Sequence, residues 1–178
     1  MIGRLALIAA SIAAATSSAC SGAAPGAAAE PAVVASRRAP LRFAYEGIDG
    51  HPVSSEALAG RVTVIGLLTT YDVYSQVEAR FLTAALQRHT PRINVVALML
   101  EAPENKPLVE AFTRSLGLPY PVALADPATI AGEGPFAGLH DVPSVVILDR
   151  QGREAFRHAG LLDEAMLDAA LRAVEKAE

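Results

Sequence analysis

The chain has 178 residues, 15 Lys and Arg against 19 Asp and Glu, and a formal charge of −4; this sizes it for one domain with appendages and gives a nucleic-acid partner no electrostatic support. Hydrophobic residues make up 52%, a figure raised by alanine near the start, yet what remains is enough to enclose one core. The single cysteine can form no intramolecular disulfide, and no Cys/His cluster has zinc spacing.

Residues 1–19 read as a signal peptide: Arg4 gives a positive start, Leu5 to Ala15 an apolar stretch, and small residues follow to Ala19. The apolar stretch is too short to span a bilayer. Cys20, directly after "TSSA", makes the segment resemble a bacterial lipobox, in which cleavage exposes the cysteine for acylation; Ser17-x-Ala19 suits ordinary signal peptidase equally, leaving a secreted protein with a spare thiol. Buried acyl chains contribute about 0.8 kcal/mol per CH₂, so several on Cys20 would anchor the protein to a membrane. The rest of residues 20–40, "SGAAPGAAAEPAVVASRRAP", has prolines and small residues without a periodic apolar face. It reads as a flexible tether, reaching roughly 60 to 70 Å when fully extended.

From 41 to 178 the chain reads as one α/β domain. "LRFAYEG" (41–47) suits a short strand before a turn at Asp49-Gly50, and "EALAGR" (56–61) a helical turn closing on Gly60. "VTVIGLL" (62–68) is a β-branched apolar run suited to a strand buried on both faces. A helix follows, with Val77, Phe81, Leu82, Ala85 and Leu86 as its expected inward face. "INVVALML" (93–100) reads as a second buried strand, and Val109, Phe112 and Leu116 mark a helix ended by Gly117. Strands are expected at 120–126, 144–149 and 153–160, the last two joined by a hairpin at Arg150-Gln151-Gly152. Asp163 is placed to cap a final helix with Leu167, Ala170, Leu171 and Val174 inward. Strands interleaved with helices, then a hairpin and a helix, predict a central mixed β-sheet covered by helices on both faces.

That order, with "VTVIGLLTTYDVYSQVE", "DVPSVVILDRQG" and "HAG" before the last helix, resembles the thioredoxin-like family, in particular its membrane-tethered TlpA and redoxin branch, over about residues 41 to 176. Members of that family read as an apolar strand, then Ala-Thr-Trp-Cys-x-x-Cys entering a helix with Glu three residues further on. Thr69, Thr70 and Tyr71 match the residues before the first cysteine, Asp72 and Ser75 stand in the two cysteine positions, and Glu78 matches the acid. Asp141-Val142-Pro143-Ser144, Leu148-Asp149 and Gly152 match the second signature. The resemblance implies a thioredoxin-like fold, a cis bond at Val142-Pro143, an extracytoplasmic location and no cofactor.

The family's chemistry does not follow from its fold. Thiol–disulfide exchange needs an attacking thiolate and a resolving thiol, which neither Asp72 nor Ser75 provides; a peroxidatic cysteine would also fall on Asp72. At a helix start, Asp72 is expected to act as N-cap, or Ser75-x-x-Glu78 to form a capping box one turn later. The resemblance would gather Tyr71, Asp72, Tyr74, Ser75, His140, Asp141, Val142, Pro143 and Ser144 into one groove. Asp72, His140 and Asp141 are weak candidate metal ligands, and Glu101, ending the second strand, is either an acid beside the groove or a solvated rim charge. His51, His89 and His158 are scattered. Two function classes remain open: a non-catalytic module offering the groove to a protein or peptide, and an enzyme or metal carrier with a new Asp/His-based chemistry.

Overall fold

The computed structural model describes residues 39–177; the expected signal peptide, Cys20 and residues 20–38 of the expected tether lie outside the described residues. Seven consecutive buried residues form β3 (Val62–Leu68), because this strand has neighbours on both edges and cover on both faces. It pairs in parallel with β4 (Ile93–Met99), from Val62↔Ile93 to Leu68↔Met99, and antiparallel with β6 (Ser144–Leu148), from Thr63↔Leu148 to Leu67↔Ser144. Together with β1 (Ala44–Gly47), β2 (Val53–Ser54), β5 (Val122–Leu124) and β7 (Glu154–Ala159), they form a seven-stranded mixed sheet of order β2-β1-β5-β4-β3-β6-β7.

Alternation along β3 divides the core. Val62, Val64 and Leu68 join Ala79, Leu82 and Ala85 of α1 (Val73–His89), Val109 and Phe112 of α2 (Lys106–Leu116), and Leu167, Ala170, Leu171 and Val174 of α4 (Glu164–Lys176). Ile65 and Leu67 face the other layer, with Val96, Leu98, Phe136 and Leu139. That layer is closed by the short helix α3 (Pro127–Ile130), whose Thr129 hydroxyl meets the Tyr45 hydroxyl at 2.9 Å, and by the rings of Phe43, Tyr45 and Phe136. Gly66 faces α1: a Cβ there would lie 2.5 Å from Leu82 Cδ1, so the missing side chain lets the helix approach the sheet.

The α/β class, the mixed sheet and the helix cover are as expected; several local features differ. The helical turn expected at 56–61 is present as a pair of turn bonds, Leu58 N to Ser54 O at 3.2 Å and Ala59 N to Glu56 O at 3.4 Å, and Gly60 has the positive φ of a chain reversal. The first strand is confined to Ala44–Gly47, while β2, α3 and the one-turn 3-10 helices Pro103–Asn105 and Gly134–Phe136 were not foreseen. Gly117 ends α2 in the left-handed region, and Asp163 caps α4 through a 2.8 Å bond from Met166 N. The turn between β6 and β7 is organised by the buried Asp149, whose side chain accepts from Gln151 N, Arg153 N and Arg153 Nε.

The inward face of α1 is the main correction. Val77 and Phe81 are half-buried, whereas the buried stripe is Ser75, Glu78, Ala79, Leu82, Ala85 and His89. Packing on the sheet sets the helix phase, and it carries three polar side chains inward. His89 is therefore no stray histidine: its Nε2 lies 3.2 Å from Asp168 Oδ1 of α4, and Arg88 bridges Glu164 and Asp168. Two further facts place the chain's entry into the fold: Leu41 N donates to Gly152 O at 2.8 Å, and Gly60 N to Arg150 O at 3.1 Å.

Candidate functional site

Beyond Leu68 the chain leaves the sheet and turns into α1. Asp72 adopts an extended conformation and caps the helix: Tyr74 N donates to Oδ1 at 3.3 Å and Ser75 N to Oδ2 at 2.7 Å. Of the two capping arrangements the sequence allows, the Asp72 cap is the one formed. Ser75 lies inside the helix, fully buried, and its hydroxyl donates to Asp72 Oδ2 at 2.8 Å while accepting from Thr69 N at 3.2 Å. Asp72 and Ser75 thus bond to each other and close the turn. A hydroxyl with no exposed surface, committed in this way, is not placed to attack a substrate.

Asp72→Ala removes both capping bonds and the Ser75 hydroxyl's acceptor. The expected cost is about 1 to 2 kcal/mol in urea unfolding, and an unchanged midpoint would refute the capping role.

Around the cap the surface is apolar and aromatic. Tyr71, Val73 and Tyr74 are 78%, 67% and 61% exposed, and these values mark them as surface rather than core. The neighbouring loop follows from strand register: Leu67 pairs with Ser144, so residues 141–143 run beside the turn at 69–71. Val142-Pro143 is cis, Val142 is half-buried and Pro143 buried. The Ser144 hydroxyl donates to Asp141 O at 2.6 Å, and Gly160 N donates to Pro143 O at 2.8 Å. The second of these bonds brings the segment after β7, with Leu161 37% exposed, to the loop's flank.

His140 is drawn elsewhere. Its ring lies over Gly132, where a Cβ would sit 2.1 Å from the ring, and no hydrogen bond joins it to Asp72 or Asp141 among the described residues. Nor do the described residues hold any group of three or more His, Cys, Asp or Glu placed to bind a metal ion. The three weak metal candidates are therefore not assembled into a site.

Two acids depart from expectation in the opposite sense. Glu101, open between an acid beside the groove and a solvated rim charge, is not solvated but buried: its Oε1 accepts from Thr70 N at 2.7 Å and from Thr70 Oγ1 at 2.6 Å, and its Oε2 from Asn105 Nδ2 at 2.8 Å. It fastens the turn that presents Tyr71 to the end of β4. Glu78, weighed as part of a capping box, points into the core, where Oε2 accepts from Leu162 N at 2.8 Å. Its other oxygen, Oε1, is buried with no hydrogen-bond partner, and burial pushes the carboxyl up to about 7. Tyr120 donates from its hydroxyl to Ala79 O at 2.8 Å; burial, with a smaller contribution from Glu78, raises its phenol well above the usual range. Thr70 and Asn105 were missed as site residues. The available signal for Glu78 was its phase, since it falls in line with Ala79, Leu82 and Ala85.

The sheet order, the helix entry beyond β3 and the cis-proline loop beside it define the thioredoxin-like fold. The sequence matches no protein-family model and no curated protein, but solved structures share the architecture. A DsbF homologue from Corynebacterium diphtheriae superposes with a TM-score of 0.68 at 20% identity, over 77% of this chain and 87% of that one. A thiol:disulfide interchange protein of the thioredoxin family from Chlorobium tepidum gives 0.64 at 21%, over 78% and 97%. A secreted thiol-disulfide isomerase from Corynebacterium glutamicum gives 0.66 at 18%, over 76% and 85%. At these identities the likeness establishes the fold.

Proposed function

We propose that the chain is an extracytoplasmic thioredoxin-fold protein of the TlpA/redoxin type that works as a binding or accessory module without thiol–disulfide exchange. The observation that carries this reading is the closed Asp72–Ser75 pair. In the proteins it resembles, two cysteines at this helix entry perform the redox step; here a cap and a buried hydroxyl hold the same turn shut, and the only cysteine lies at position 20. What the turn still presents is the face of Tyr71, Val73 and Tyr74 with the 141–143 loop beside it, suited to a protein or peptide partner. Residues 1–19 would direct export, Cys20 would carry a lipid and the tether would hold the domain near a membrane facing the periplasm. That the similar C. glutamicum thiol-disulfide isomerase is secreted supports an extracytoplasmic setting.

Two measurements test this. In the presence of a reductant, the domain without Cys20 is expected to leave the rate of insulin disulfide reduction at its buffer value; faster reduction would overturn the non-redox reading. On an array of extended peptides, sequences retained by the wild-type domain are expected to be lost on replacing Tyr71 and Tyr74 together with Ser. Equal retention by both proteins would remove this face as the docking surface.

A further inference from the structure

The polar group least accounted for in the fold is Glu78. It is fully buried on the sheet-facing stripe of α1, one turn below Ser75, with one oxygen used and the other, Oε1, left without a partner. The oxygen that is used holds a particular piece of chain. Leu162 N donates to it, and two residues earlier Gly160 N donates to Pro143 O. The segment Gly160–Leu162 is therefore pinned at one end to Glu78 and at the other to the cis-proline loop. Between the pins, Leu161 is 37% exposed, while Leu162 is completely buried.

A protonated carboxyl can remain in this position at little cost. An ionised one cannot, because a buried carboxylate needs more than a single donor. Among the described residues, no element packed against α1 brings a partner to Oε1; on α2, Lys106 pairs with Glu46 and Arg114 with Glu110. Tyr120 is neutral near pH 7 and its hydroxyl is committed to Ala79 O. Asp163, at the start of α4, directs its carboxyl to Met166 N, and the buried residues of α4 are apolar. Arg88, His89 and Asp168 form their own cluster at the far end of α1. The remaining way to solvate Oε1 is to admit water, and the Gly160–Leu162 segment is the part of its cover held by single hydrogen bonds on a connection rather than within a strand or helix.

We propose that Glu78 is a proton-controlled latch: protonated, it keeps Gly160–Leu162 closed against the cis-proline loop, and ionised, it releases that segment and reshapes the flank of the docking face. The functional meaning of the latch rests on the reading of that face given above, but the latch itself can be tested without any partner. The raised carboxyl pKa places the change near neutral pH.

Amide hydrogen exchange by NMR provides the test. After correction for the intrinsic rise in exchange with pH, the protection of Leu162 N–H is expected to fall tenfold or more between pH 6 and pH 8.5 in the wild type, with Gly160 following, and to stay constant in Glu78→Gln. Equal protection at both pH values in the wild type would overturn the latch, as would an equal fall in the variant. Should Glu78→Gln not fold, the wild type alone suffices: the Glu78 carboxyl ¹³C shift and the Leu162 amide shift are expected to titrate with one midpoint, and a Leu162 amide that stays fixed while the carboxyl titrates would overturn the proposal. Loss of the latch would leave peptide retention by Tyr71 and Tyr74 untouched, so the two readings fail separately.

Discussion

Glu78→Gln is expected to make the domain more stable than the wild type at pH 8 and nearly equal to it at pH 5. The sign follows from where the proton sits. In the unfolded chain the carboxyl ionises near its ordinary 4.5, whereas in the fold it holds its proton to about 7. Below 4.5 both states are protonated and Glu78 imposes no charge penalty. As pH rises from 4.5 to 7 the unfolded chain loses a proton that the fold retains, so stability falls, and above 7 the loss is complete. The interval corresponds to about 3 kcal/mol, an upper figure because opening of the Gly160–Leu162 segment would relieve part of it. Glutamine keeps an oxygen to accept from Leu162 N and carries no charge at any of these pH values. Urea unfolding of both proteins at pH 5, 6, 7 and 8 is the measurement. Parallel curves would mean that Glu78 is not titrating inside the fold.

The second large effect is expected at Glu101. Replacing it with Ala removes the acceptor of three hydrogen bonds and leaves Thr70 N, Thr70 Oγ1 and Asn105 Nδ2 facing a void. Each donor deprived of its partner costs about 1 kcal/mol or more, so a loss of about 3 kcal/mol is expected. Glu101→Gln should cost much less, because its oxygen still serves Thr70 and the Asn105 amide can turn its own oxygen toward the new NH₂ group. Unfolding midpoints of the two variants check this, and a Glu101→Ala protein within about 0.5 kcal/mol of wild type would show that the bonds contribute nothing net. Amide shifts of Thr70 and Tyr71 should move most in Glu101→Ala, since this turn is what the acid fastens.

Those two acids also mark the boundary of what the sequence discloses. The fold was legible because its strongest signals are local: β3 is an uninterrupted β-branched run, Gly117 and Asp163 end and begin helices by their own backbone and capping preferences, and two spaced motifs resemble one family. Asp72 as a cap was legible for the same reason, its partners being two and three residues away. Asn105 is four residues from Glu101, but Thr70 comes from a separate segment, brought beside it only because β3 and β4 pair in parallel so that Leu68 and Met99 end side by side. Nothing in "EAPENKP" announces Thr70. The phase of α1 is not legible from apolarity, because Val77 and Phe81 are more apolar than Ser75 and Glu78 and contact with the sheet outweighs that preference. The segment after β5 reads as turns, with Pro127, Gly132 and Gly134, and its helical stretches are too short for periodicity to reveal.

The hydrogen bond from Leu41 N to Gly152 O has a consequence for orientation. Leu148 of β6 pairs with Thr63, so Gly152 lies beyond the beginning of β3, whereas Asp72 lies beyond its end. The seven residues of β3 separate the two poles by about 23 Å. The described chain therefore enters the domain at the pole opposite Tyr71 and Tyr74, and the entering segment leaves that face uncovered.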